Sequence, residues 1–383
     1  MSFVFIDRAD RSSELERALQ TGGAIALDCE AAGFHRYSDR LCLVQLTTAD
    51  GDNFIVDPLA FDIAPLLRRV LEDPAVPVLM HGSDYDLRLL DRDLDIRLQG
   101  LVDTQAAAAL LGESALGLAA LLEKFLGVQL EKKYQRADWA IRPLPTDMLD
   151  YAASDTRYLH ELVRRLEERL AEAQRGDWAQ EEYRALEAIR WEDDSGIDPV
   201  TRVKKARDLS PREVDRLREA LTWRDSIAQE LDRAAFRVAS DETLADVASE
   251  RPRSLSALAD IKGMNARLAH DRGSELLERL DAVDARPDTE VIGYPRRERG
   301  SGLGRPAPEI EELADRLKQV RNQKADELGL ARGTLLSNAM LVEIARQAPR
   351  SAVQLAEVPG LKRWQREVIG SALLETLAKN QRS

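Results

Sequence analysis

Cysteine is scarce in this 383-residue chain: Cys29 and Cys42 are its two thiols. Each lies in an apolar run, so we expect small buried hydrophobes and neither a disulfide nor a thiol centre. The four histidines, His35, His81, His160 and His270, lack zinc spacing. No Gly-x-x-x-x-Gly-Lys-Ser/Thr occurs, which leaves ATP hydrolysis and helicase activity without a motif. No apolar stretch approaches the roughly 18 residues of a membrane helix. Asp7 and Arg8 come too early for a signal peptide, and a cytoplasmic protein with no membrane partner is expected. Net positive charge is lacking as well. The formal charge is −13, divided as −12 over residues 1–190, −4 over 210–285 and +1 over 309–379. That balance disfavours tight sequence-independent duplex binding, which relies on many basic contacts. A short single-stranded end suits it better.

What the chain does have is ordinary globular composition, 44% hydrophobic and 32% charged, over a length that implies two or three domains. Strand-like runs at 3–6, 24–27, 41–47, 53–56 and 77–80 alternate with helical patterns near 12–20, 63–72, 84–92, 105–111, 116–125 and 146–175. This is an α/β pattern in which close-set early strands predict antiparallel hairpins before the sheet becomes mixed. After about residue 190 strand signals stop, and a turn-rich segment from Trp191 to Pro199 marks the change. The helical remainder repeats. Ala234, Leu244, Pro252-Arg253-Ser254, Leu258-Ala259 and Gly263 return as Ala331, Leu341, Pro349-Arg350-Ser351, Leu355-Ala356 and Gly360, each 97 positions later. A constant offset with two copies means a duplicated domain, not a solenoid. Between them, residues 286–308 carry four prolines, four glycines and five arginines and read as a mobile connector.

Acidic residues fall in an informative order. Asp28 and Glu30 end the apolar run Ala24-Ile25-Ala26-Leu27, and residues two apart on a strand share a face. Asp86 follows the strand-turn sequence Val78-Leu79-Met80-His81-Gly82-Ser83, on the first turn of a helix that Ser83 is placed to cap. Tyr151 and Asp155, four apart in a helical pattern, share one face. Any single acid among 68 is best read as a solvated surface group. Two carboxylates closing an apolar strand are costly to bury without a partner, and four acids together need cations to remain ionised. Phosphodiester hydrolysis supplies the reason for such a set, because divalent ions held by hard oxygen ligands offset charge on attacking and leaving oxygens.

These motifs resemble the DEDD exonuclease superfamily in its tyrosine-containing branch: Asp-x-Glu, an aspartate at a helix start, then Tyr-x-x-x-Asp. The resemblance implies a ribonuclease H-like exonuclease domain with a mixed sheet over residues 1–190. It also implies Asp28, Glu30, Asp86 and Asp155 as ligands of two divalent ions, Mg²⁺ or Mn²⁺, with Tyr151 orienting water. The repeats resemble all-α HRDC domains, at 210–285 and 309–379, and the order of domains resembles the bacterial ribonuclease D family. A 3′-to-5′ exoribonuclease follows, releasing nucleoside 5′-monophosphates from RNAs with a single-stranded 3′ end, tRNA precursors especially. The residues leave open a 3′-to-5′ exodeoxyribonuclease of the same chemistry, since metal ligation does not distinguish sugars. They also leave open a noncatalytic RNA-binding scaffold.

Eight further residues are candidate substrate contacts. Phe34 is placed to wedge between terminal bases and Gln45 to meet ribose, while His81 adjoins the Asp86 motif, where a packed histidine is the default. Lys133 and Arg142 belong to a basic stretch, residues 132–144, that resembles the family segment before the third motif. In the second helical copy, Lys362, Arg363 and Trp364 form a basic aromatic cluster suited to phosphate and base. In the first, Trp223 and Phe236 read as core. The second copy is therefore expected to position substrate and the first to act as scaffold.

Overall fold

The structure is a computed structural model that describes residues 3–131, 133–194, 196–295 and 307–380. Strands β1 (Val4–Ile6), β2 (Ile25–Ala31), β3 (Leu41–Thr48), β4 (Asn53–Val56), β5 (Val78–Met80) and β6 (Leu101–Asp103) form one sheet in the order β1-β4-β3-β2-β5-β6. The β2-β3 and β3-β4 pairs are antiparallel, and β1, β5 and β6 join in parallel, so the sheet is mixed. Every residue of β3 is buried, as its uncharged run Leu-Cys-Leu-Val-Gln-Leu-Thr-Thr requires of a central strand covered on both faces.

Helices α1 (Ser12–Gln20), α2 (Ala64–Leu71), α3 (Asp84–Leu94), α4 (Thr104–Leu110) and α5 (Leu118–Leu126) share a core with one sheet face through Leu27, Cys29, Val44 and Leu46. The opposite face presents Leu43 and Ile55 to Met148, Leu149, Ala152 and Ala153 of α6 (Thr146–Arg157). The single helix expected over 146–175 is two. At Tyr158, with φ −103° and ψ 1°, the chain leaves helical geometry, and α7 (Leu159–Glu172) turns its leucines into the other core. The break lets one segment serve two layers. Strand β6 and helix α8 (Gly176–Glu187) also escaped sequence reading, β6 because three residues show no alternation.

The two helical copies match element by element. Helices α9 (Pro211–Glu230), α10 (Ala235–Val238), α11 (Asp241–Glu250), α12 (Leu255–Asp260) and α13 (Ala266–Ala285) are followed by α14 (Pro308–Leu328), α15 (Arg332–Leu335), α16 (Asn338–Gln347), α17 (Ala352–Ala356) and α18 (Arg363–Asn380). Ser240 and Ser337 cap α11 and α16, and Ser254 and Ser351 cap α12 and α17, each pair 97 apart. The first copy has its own hydrophobic core, whereas the second continues the core of the sheet domain. Part of the expected connector, residues 296–306, lies outside the described residues, as do Lys132 and Ser195.

Candidate active site

Asp28 pairs across the sheet with Gln45, so the two side chains share a face, and a register shift follows at Glu30/Ala31. Helix α6 lies over that face and is pinned there by polar contacts. The Thr47 and Thr156 hydroxyls are 2.7 Å apart, and Asn53 Nδ2 donates to Thr47 Oγ1 at 2.8 Å and to the Ala153 carbonyl at 2.9 Å. His160 Nε2 donates to the Thr47 carbonyl at 2.9 Å. With α6 held in this way, one carboxylate oxygen each from Asp28, Glu30 and Asp155 fall within 4.8 Å of one another. Tyr151, one turn before Asp155, stands half-buried beside them between Tyr134 and Trp139, at ring-centroid distances of 5.8 and 6.2 Å.

Asp86 lies outside the 4.8 Å group but inside its field. It is buried on the first turn of α3, and its charge acts on Glu30 and Cys29. Ser83 precedes α3 without capping it, because its hydroxyl and its N–H both donate to Asp103 at 2.8 Å. The other Asp103 oxygen caps α4 through the Gln105 and Ala106 N–H groups. This aspartate, unremarked in the sequence, fixes the turn that presents Asp86. Its signal was legible: Asp immediately before an alanine-rich helical run is an N-cap pattern.

The four carboxyls are all harder to ionise than usual, burial being the largest cause. Asp28 is pushed up to about 7 and Asp155 to about 8, from an ordinary 3.8. Glu30 and Asp86 lie well above the carboxylate range, raised further by Asp28 and, for Glu30, by Asp155. Burial and the same acids also raise the Tyr151 phenol, which is therefore protonated at neutral pH. The Gln45 amide is buried with neither its oxygen nor its nitrogen hydrogen-bonded. Clustered acids beside an orphaned amide are a donor set that fits a hard divalent cation and its hydration shell. The cluster can bind divalent metal.

The remaining sequence candidates divide. Phe34 is 40% exposed and lines a cleft with Glu30. Exposed Lys133 pairs with Asp147 at 3.2 Å and sits over the Tyr134 ring. His81 gives Nδ1 to the Thr104 hydroxyl at 2.8 Å, the packed role rather than a substrate contact. Arg142 is not open to a strand backbone. All five of its N–H groups are directed inward: two to Asp57, the others to the carbonyls of Cys42, Trp139 and Ile141.

Two of the three residues of the second-copy cluster are taken up within the protein. Trp364 has no exposed surface, stacks on Trp178 with centroids 4.6 Å apart, and donates Nε1 to Glu182 at 3.0 Å. Lys362 pairs with Glu182 at 2.7 Å, and the Arg363 N–H donates to Glu181 at 2.7 Å. Lys362 and Trp364 thus dock the second copy on α8, whereas the Arg363 guanidinium stays 62% exposed between Glu181 and Glu367. Phe236 of the first copy, expected in the core, is 51% exposed, while Trp223 is buried as anticipated.

Comparison with known proteins agrees with this architecture. A family profile described as 3'-5' exonuclease matches residues 3–171, and the HRDC domain profile matches 213–280 and 310–377. Ribonuclease D of Granulibacter bethesdensis is 30% identical over 97% of this chain and 91% of its own length. Ribonuclease D of Pseudomonas paraeruginosa is 30% identical over 94% of both chains. The crystal structure of Escherichia coli RNase D, described as an exoribonuclease involved in structured RNA processing, covers 99% of both chains at 25% identity with a TM-score of 0.72.

Proposed function

The chain belongs to the ribonuclease D family, a 3′-to-5′ exoribonuclease, and from that premise we propose that Asp28, Glu30, Asp86 and Asp155 hold two divalent ions, Mg²⁺ or Mn²⁺. The observation that carries the reading is the meeting of Asp28, Glu30 and Asp155 oxygens within 4.8 Å of one another. When bound, such ions offset charge on the attacking and leaving oxygens of the phosphodiester. The protein's own contribution is to hold and orient. Tyr151, kept protonated by burial and by its acidic neighbours, donates a hydrogen bond that aligns the attacking water rather than removing its proton. Gln45, with two free hydrogen-bonding atoms beside Asp28, meets water or a ribose hydroxyl. Phe34 closes the cleft against the terminal nucleotide.

The substrate class we propose is RNA with a single-stranded 3′ end, tRNA precursors in particular, in the cytoplasm, with nucleoside 5′-monophosphates as products. Residues 1–190 carry the chemistry, and the helical domains at 210–285 and 309–379 frame it. Among the described residues, no helix is long and apolar enough to cross a membrane. The test is incubation with end-labelled tRNA precursors and with matched RNA and DNA oligonucleotides, in Mg²⁺, Mn²⁺ or EDTA. Stepwise 3′ shortening of RNA with metal, and none in EDTA, is expected. Equal degradation of DNA would move the proposal to an exodeoxyribonuclease, and no mononucleotide release under any condition would leave a binding scaffold.

A further inference from the structure

We infer that Phe236 and Arg237 of the first helical copy complete the substrate entrance, forming with Phe34 and Arg136 an aromatic ledge, flanked by cations, that stacks a nucleobase near the RNA 3′ end. The inference rests on the exoribonuclease reading and adds to it a binding element from another domain.

The cleft that contains Glu30 and Phe34 has Phe236 in its wall and a volume of about 410 Å³, within the range of small-ligand sites. The Phe34 and Phe236 rings are 5.5 Å apart between centroids, inclined at 54°, and remain 40% and 51% exposed. The Arg237 guanidinium lies 4.6 Å from the Phe34 centroid, and the Arg136 guanidinium 5.6 Å from it. The fold fixes this arrangement. Arg237 Nε donates to the Phe34 carbonyl at 2.6 Å, and the Ala234 N–H donates to the His35 carbonyl at 3.1 Å. Tyr37 donates to Asp225 at 2.9 Å, and Arg36 pairs with Asp232 at 3.2 Å. Gly33 lets the loop close: its N–H donates to Asp39 at 2.7 Å, and a Cβ there would fall 2.4 Å from that carboxyl group.

Domain docking alone does not account for these residues. The polar bonds already join the copy to the loop, and rings serving only as glue would be covered rather than half-exposed at a cleft rim. Arg136 and Arg237 have no carboxylate within 4.0 Å among the described residues. Arg212, Arg216, Arg218, Arg224 and Arg279 of the same copy are all ion-paired. Guanidinium groups free of acids, lying over half-exposed aromatic residues, suit a strand whose bases stack and whose phosphates accept hydrogen bonds. The rings touch each other, so the base lies on the ledge and does not enter between them.

The test uses the full chain in EDTA with a decameric oligoadenylate carrying 2-aminopurine at the terminal or the penultimate position. Stacking quenches the probe, so the unsubstituted chain is expected to dim it at one of these positions. Phe236→Ala is expected to abolish the quenching and raise Kd about tenfold, as loss of one base–aromatic stack does. Phe236→Leu keeps an apolar contact with Phe34 but offers no π face, and should match Phe236→Ala. Phe236→Trp should restore both readouts. Arg237→Gln should lower the salt dependence of binding by about one phosphate contact. If Phe236→Leu binds and quenches as the unsubstituted chain does, the ledge is overturned. Nucleotide release by the unsubstituted chain in Mg²⁺ is scored separately, and its failure counts against the catalytic reading alone.

Discussion

The two helical copies share a sequence repeat, an order of helices and two serine caps, yet they meet the catalytic domain through different chemistry. The second copy commits Lys362 and Trp364 to α8, where Trp364 is buried on Trp178 and the two cores run together. The first keeps a separate core and touches the Phe34 loop mainly through hydrogen bonds and two half-exposed rings. Charge counts pointed the other way, making the near-neutral second copy the better RNA binder. The contrast shows that a cationic or aromatic side chain reports on binding only after its intramolecular partners are known. Lys362 and Trp364 answer to Glu182, whereas Arg237 answers to no acid among the described residues.

The largest effect should separate chemistry from both copies. Asp28→Ala is expected to cut mononucleotide release roughly a thousandfold or more, the scale of losing several kcal/mol of charge stabilisation. Circular dichroism and chain dimensions should be unchanged. Residual activity near the original would place the chemistry elsewhere and dissolve the division of labour. Next is Trp364→Ala, which empties a buried aromatic site and should cost about 3–5 kcal/mol in denaturant unfolding. The equivalent position in the first copy, Arg267, is exposed, and Arg267→Ala should shift unfolding by no more than about 0.5 kcal/mol.

A smaller effect concerns pH. Asp28 and Asp155 have folded-state values near 7 and 8 against an ordinary 3.8, so between those limits the folded protein binds more protons than the unfolded chain. Metal-free protein should therefore lose stability as pH rises from about 4 to 8, seen as a falling Tm in EDTA. Asp28→Asn should flatten the slope, and Mg²⁺ should flatten it in the unsubstituted chain. A Tm that climbs over this range in the unsubstituted chain but not in Asp28→Asn would contradict the assignment. The smallest change is expected from Lys362→Gln. Its pair with Glu182 is partly exposed, and breaking it should cost about 1 kcal/mol or less without altering the salt slope of RNA binding.

Much of this is legible in the amino-acid sequence. Apolar runs located five of the six strands, and the periods of strand and helix put Asp28 with Glu30 and Tyr151 with Asp155 on common faces. What escaped was whatever depends on partners distant in sequence. The break at Tyr158 exists because α6 and α7 serve different cores. Arg142 looks like any basic loop residue until Asp57, 85 positions away, is seen to take its guanidinium. Phe236 looked like core because an apolar residue on a short helix gives no sign of which neighbour covers it.

The central claim is that the carboxylates of Asp28, Glu30, Asp86 and Asp155 capture divalent cations. Calorimetric titration of Mn²⁺ into metal-free protein addresses it without reference to turnover. Saturable binding of two ions per chain in the unsubstituted protein, lost or reduced to one in Asp155→Asn, is the predicted result. Indistinguishable isotherms for the two proteins would contradict it.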